Sequence, residues 1–380
     1  MHVECERKIY KLFHTRESKL YAFFGIRSFV LSLVGIFVPI FILKQGFSVL
    51  ELIYFYAFYY SFNVISIAIS LNLFEKLGYP KMFALSSFFY FLFFSLFPNA
   101  HSLPQLMGLA ILCSLAVTFF WAPFNILFAK AKEDKLKVAC KQNVTGEIAT
   151  ALAPLVGGIL ATMLPNHILF YSSALALILA PLALFKHERI KHKKDDKKLR
   201  LSLEEIKRYR IFLGEGFLKV STFIAWPLFI YFLFSSISVV GLVKTITNLV
   251  MVILSIKIVH WVKGNKEHLL DFSNKLYSST LFLRPLALTY LLAFTVSLLI
   301  GFGTTIFNIA YNAFFYEKLS RKIAKEFLFI RELLLTLGRI TALSLFGILM
   351  YFRVDLILTL AVLLILGSVS AYHLKKIREI

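Results

Sequence analysis

The sequence predicts an all-α integral membrane protein with twelve transmembrane helices, arranged as two pseudo-symmetric bundles of six. Three observations predict it. Hydrophobic residues make up 59% of the 380 positions and the mean hydropathy is +0.76, far above the roughly 45 to 50% apolar usage of soluble domains. The apolar residues fall in runs long enough to cross a hydrocarbon core about 30 Å thick, which takes about 20 helical residues. The 42 Lys and Arg residues collect in the gaps between those runs, most densely at mid-chain.

Spans are expected at 20–43, 47–70, 82–98, 103–129, 142–163, 166–185, 210–234, 236–260, 267–284, 289–314, 326–351 and 354–374. Turn chemistry separates them at Lys44-Gln45-Gly46, Pro98-Asn99-Ala100, Pro165-Asn166 and Arg284-Pro285. The first run follows basic residues, as a signal peptide does, but it is too long for one and lacks a small-residue cleavage site, so it reads as a retained span. The ninth carries Asp271, Asn274 and Lys275 and could lie at the interface. It is kept as a span because its removal would turn Lys318, Arg321, Lys322 and Lys325 outward.

Charge orients the array. With the N-terminus inside, thirty-two Lys and Arg fall in cytoplasmic segments and three, Lys44, Arg284 and Arg353, in outside loops, as the positive-inside rule requires. Both termini are therefore expected in the cytoplasm, with the cytoplasmic (plasma) membrane as the location. The domain reading is a tail at 1–19, a bundle at 20–185, a basic linker at 186–209, a second bundle at 210–374 and a tail at 375–380. The linker region holds eleven Lys and Arg between Lys186 and Arg210, suited to anionic lipid. Its last third, with Ser202 three before Glu205 and a stripe of Leu199, Leu203 and Ile206, reads as a capped surface helix.

A net charge of +21 would suggest a nucleic-acid partner in a soluble chain. Here the basic residues border membrane spans, so none is expected. Cys5, Cys113 and Cys140 show no metal-ligand or disulfide spacing. The chain has no His-Glu-x-x-His pair, Gly-x-Ser-x-Gly elbow or phosphate loop, so catalytic residues, metal and cofactor are not expected, and neither is an enzyme. Gly301-Phe302-Gly303 reads as a helix-bending element in span ten.

The two halves repeat one another. Phe124-Asn125-Ile126 at the end of span four recurs as Phe307-Asn308-Ile309 in span ten, and Glu147 and Glu332 both sit just inside the following span. Parallel repeats of this kind are a transporter feature. Between spans two and three, Glu75-Lys76-Leu77-Gly78-Tyr79-Pro80-Lys81 resembles the acidic, basic, x, Gly, x, x, basic loop of the major facilitator superfamily, although Leu71 stands where that loop begins with Gly. In span five, Ala149, Ala153-Pro154 and Gly157-Gly158 resemble the family's Gly-x-x-x-Gly-Pro-x-x-Gly-Gly motif with two alanines for glycines. The resemblance implies alternating access, with spans one, four, seven and ten lining a central cavity and the faces of two, five, eight and eleven completing it.

Ionisable residues at bilayer depth are costly and mark cavities or partners. At about 1.5 Å per residue, Lys219 lies about 14 Å from the cytoplasmic end of span seven, Lys244 about 12 Å from the outer end of span eight and Arg339 about 20 Å into span eleven. The expected solute site is Arg27, Trp121, Asn125, Glu215, Lys219, Lys244, Asn248, Asn308 and Arg339. Arg27, about 10 Å deep, is also placed to snorkel, and Glu215 with Lys219 has the spacing of a structural helix pair. Four cations against Glu215 point to an anionic or carboxylate-bearing solute, with protons as a candidate coupling ion. The expected gating set is Glu75, Lys76, Gly78, Lys81, Glu147, Lys257, Arg331 and Glu332, with Glu75 meeting Arg331 or the start of span eleven and Glu147 meeting Lys257. The functional expectation is a secondary or facilitative transporter of a small solute, acting as a monomer. The competing reading is a non-transporting receptor or assembly scaffold.

Overall fold

The computed structural model describes residues 16–131, 134–183, 203–261, 266–321 and 324–380. The N-terminal half holds α1 Arg16–Val34, α2 Val38–Lys44, α3 Val49–Leu96, α4 Leu103–Ala129, α5 Lys135–Thr150, α6 Ala153–Met163 and α7 Asn166–Leu179. After α8 Leu203–Arg208, the C-terminal half holds α9 Ile211–Val220, α10 Trp226–Phe234, α11 Ile237–Trp261, α12 Lys266–Phe282, α13 Tyr290–Arg321, α14 Ala324–Tyr351 and α15 Leu356–Tyr372. The Ser202 cap and Leu199 of the expected linker helix lie outside the described residues.

Nine stretches among the described residues are long and apolar enough to cross a membrane. One of these, Val49–Asn99, is two spans end to end. Gly78 breaks α3 with φ 72° and ψ 170°, a conformation open in practice only to glycine, and Pro80 starts the next span. The shorter His167–Leu182 and the more polar α12 complete an arrangement consistent with twelve crossings.

α12 is a member of the bundle. Its Ser273, Asn274 and Ser278 are buried against α13 and α15. Asn274 donates to the Tyr372 carbonyl at 2.7 Å, and Asp271 pairs with Arg378 at 2.6 Å. Of the polar residues expected in this span, Asp271 and Asn274 thus find partners on neighbouring segments, whereas Lys275 is exposed.

Where helices cross most closely, small residues remove the barrier. A Cβ on Gly158 would lie 3.2 Å from the Ile237 carbonyl oxygen, and one on Gly241 only 2.3 Å from that of Pro154, so α6 and α11 meet backbone to backbone across the two halves. α13 runs through Gly301 and Gly303 as one helix. They are close-packing points, since added Cβ atoms would lie 2.8 Å from the Thr247 carbonyl oxygen and 2.9 Å from the Tyr277 Cα.

Span five is interrupted between α5 and α6, freeing backbone groups that a membrane interior leaves without water. α11 supplies the partners. Asn248 donates to the Thr150 carbonyl at 2.8 Å, and the Thr245 hydroxyl accepts from the Leu155 N–H at 3.0 Å.

Candidate functional site

The contact of α9 with α14 builds the charged centre. A Cβ on Gly216 would lie 2.2 Å from the Leu335 carbonyl oxygen and one on Gly338 2.0 Å from that of Leu213. This reciprocal approach brings the residues beside the glycines together. Glu215 receives Arg331 Nη2 at 2.5 Å, Lys219 Nζ at 3.1 Å and the Tyr311 hydroxyl at 2.7 Å. The Arg331 guanidinium also lies 4.8 Å from the centre of the Phe315 ring and 5.4 Å from that of Phe212.

Arg331 is therefore a half-buried partner of Glu215 and does not meet Glu75. The Glu75 carboxylate reaches Lys325, at the start of α14, at 2.6 Å. Glu332 belongs to the same buried centre, pairing with Arg339 at 2.6 Å. Seven residues are two helical turns, about 10.5 Å along the axis, which two long side chains on one face can span.

The charged centre meets the N-terminal half at Tyr60. Arg339 lies 4.6 Å from the centre of that ring, and the Thr336 hydroxyl donates to the Tyr60 carbonyl at 3.0 Å. On the far side is Arg27, only 3% exposed, so it does not snorkel. Its guanidinium stacks 3.7 Å from the centre of the Phe120 ring, with Tyr90 at 5.3 Å and Trp121 at 6.0 Å.

The remaining expected site residues are more dispersed. Lys244 is half-buried and interacts electrostatically with Glu147 and Arg284. The Asn248 carboxamide is engaged by the break in span five, which gives it a structural partner outside the charged centre. Asn125 is buried and Asn308 half-buried. Lys257 is exposed and no ion pair joins it to Glu147, whose electrostatic partner is Lys244. Lys76 and Lys81 are exposed beside Gly78.

Two polar residues escaped the sequence reading. Arg284, placed there in an outside loop, is 3% exposed, donates to the Thr222 hydroxyl at 3.2 Å and lies 5.5 Å from the centre of the Trp226 ring. Thr222 belongs to a π-helical turn, Ser221–Ala225, between α9 and α10; such turns recur at functional sites and leave little trace in hydrophobic patterning. Tyr311 was hidden in the aromatic composition of α13, where nothing distinguishes it from packing tyrosines.

Further contacts tie the halves at the face that carries the Glu75–Lys325 pair. The Tyr316 hydroxyl donates to Gln142, and Asn143 donates to Ser255 at 2.8 Å. Towards the opposite face, Ser238 donates to the Gly158 carbonyl at 3.3 Å.

No curated protein matches the sequence. Solved structures of similar fold include the nucleoside transporter NupG, 13% identical over 96% of this chain and 100% of that one with a TM-score of 0.68. FucP, a transporter captured in the outward conformation, is 13% identical over 96% and 99% with a TM-score of 0.69. The human organic anion transporter MFSD10 (TETRAN) is 11% identical over 93% and 98% with a TM-score of 0.62. At these identities the likeness is one of fold. The family model of the Major Facilitator Superfamily matches residues 20–373, so the chain, a multi-pass membrane transporter, belongs to the Major Facilitator Superfamily.

Proposed function

We propose that the protein is a secondary active or facilitative carrier of a small anionic solute, working by alternating access between its two six-helix bundles. The observation that carries this reading is the charged band at the seam of the halves. Arg27, Lys219, Lys244, Arg331 and Arg339 lie there with Glu147, Glu215 and Glu332, and five cations against three carboxylates leave the band net positive. Charge at this depth is retained against a desolvation cost, which a packing role alone does not require.

The face carrying Glu75 and Lys325 is the cytoplasmic one in this reading, as the distribution of Lys and Arg requires. The Glu75–Lys325 pair and the Gln142–Tyr316 and Asn143–Ser255 hydrogen bonds then form an inner gate, closed when the site opens outward. The test is solute flux into vesicles reconstituted with purified protein, with and without an imposed pH gradient. Anion flux that falls in Lys244→Ala and Arg339→Ala is expected. Flux confined to cations and unaffected by both substitutions would sink the anion assignment, and no flux of any solute would favour a receptor or scaffold.

A further inference from the structure

The cations of the band differ in one respect. Arg331 and Lys219 share Glu215, Arg339 holds Glu332, and Lys244 interacts with Glu147. Arg27 has no carboxylate partner among the described residues. Its Nε and Nη2 donate to nothing, and these two nitrogens share one edge of the guanidinium. That edge makes two parallel hydrogen bonds to a carboxylate. A buried guanidinium left with a free edge is expensive, and the stacked Phe120 ring offsets only part of the cost.

The surroundings of that edge are aromatic and partly open. Tyr90 and Phe120 are buried, whereas Tyr59 and Cys113 are half-buried and Trp121 is 36% exposed. Tyr59 and Cys113 both interact electrostatically with Arg27, and the partly exposed Trp121 ring lies 6.0 Å from its guanidinium. Both nitrogens are closed off in this structure, so a ligand reaches the cationic fork only as the packing around it parts, and it then meets flat apolar faces around the rest.

We infer that Arg27 is the anion-recognition residue of the solute site, and that the solute class is a carboxylate carried on an aromatic or similarly flat apolar body. The inference rests on the proposed transport reading but specifies which cation reads the charge. The carboxylate takes Nε and Nη2 together, and the ring packs against Trp121 and Tyr59. Lys219, Lys244, Arg331 and Arg339, already matched to glutamates, are left to couple ligand binding to rearrangement of the ion pairs.

Four probes test it on the purified full chain by thermal shift: benzoate, acetate, benzamide and benzylammonium. Benzoate is expected to stabilise the protein, acetate to bind about tenfold or more weakly for want of a ring, and the neutral and cationic analogues not to bind. Arg27→Gln should weaken benzoate by about tenfold or more, the worth of a charged bidentate contact. Arg27→Lys, which keeps the charge and loses the fork, should fall between. Trp121→Ala should weaken benzoate and leave acetate unchanged. Should Arg27→Gln fail to fold, the other two variants decide.

Equal binding of benzamide and benzoate, binding of none of the probes, or benzoate affinity indifferent to Arg27→Lys and Trp121→Ala overturns the inference. Flux of radiolabelled benzoate separates it from the transport reading. Binding without flux removes transport and leaves the site, whereas flux of another solute that is insensitive to Arg27→Gln removes the site and leaves transport.

Discussion

Glu215 has three donors, Arg331, Lys219 and the Tyr311 hydroxyl, and removing its charge strands two cations in the bundle. Breaking a buried pair by deleting one partner costs about 3 to 5 kcal/mol. Glu215→Gln is therefore expected to lower the thermal midpoint of the detergent-solubilised protein clearly. Glu215→Gln combined with Arg331→Met should recover part of the loss, because the stranded guanidinium is gone and Met suits a site lined by Phe212 and Phe315. Equal midpoints for wild type and Glu215→Gln would show that the pair is not held in the membrane. Pairs such as this were only half legible in the sequence. Glu215 and Lys219 are one turn apart and announce each other, but Arg331 reaches Glu215 only because two glycines on different helices bring the backbones together.

Helix interruptions are the corresponding feature at the scale of elements. Gly78 separates spans two and three with a backbone conformation that an L residue adopts at a cost of about 1 to 3 kcal/mol, so Gly78→Ala is expected to lower the midpoint by that order. The break in span five depends on a neighbour. Thr245→Val would leave the Leu155 N–H without its acceptor at a cost of about 1 to 3 kcal/mol, and faster hydrogen exchange at the start of α6 should report it. Unchanged exchange would show that the break is satisfied in another way. Span positions were legible in the sequence because apolar run length fixes them directly. The break in α5–α6, the π-helical turn and the burial of Arg284 were not, since each depends on which helix lies alongside.

For the whole molecule, the gate at Glu75 and Lys325 supplies the sharpest prediction. A bismaleimide cross-link between cysteines in Glu75→Cys/Lys325→Cys is expected to abolish flux, while each single variant labelled alone should retain it. Full flux in the cross-linked protein would show that the halves do not part at this face. The ion pairs also bear on how the chain is made. Among those described, the Glu75–Lys325 pair alone crosses between the halves, and the others lie inside the C-terminal half. As spans seven to twelve leave the ribosome, Glu215, Glu332 and Asp271 can find their cations without waiting for the first six. The gene should therefore tolerate being cut in the basic linker, and two separately translated fragments are expected to find each other in the membrane and restore flux.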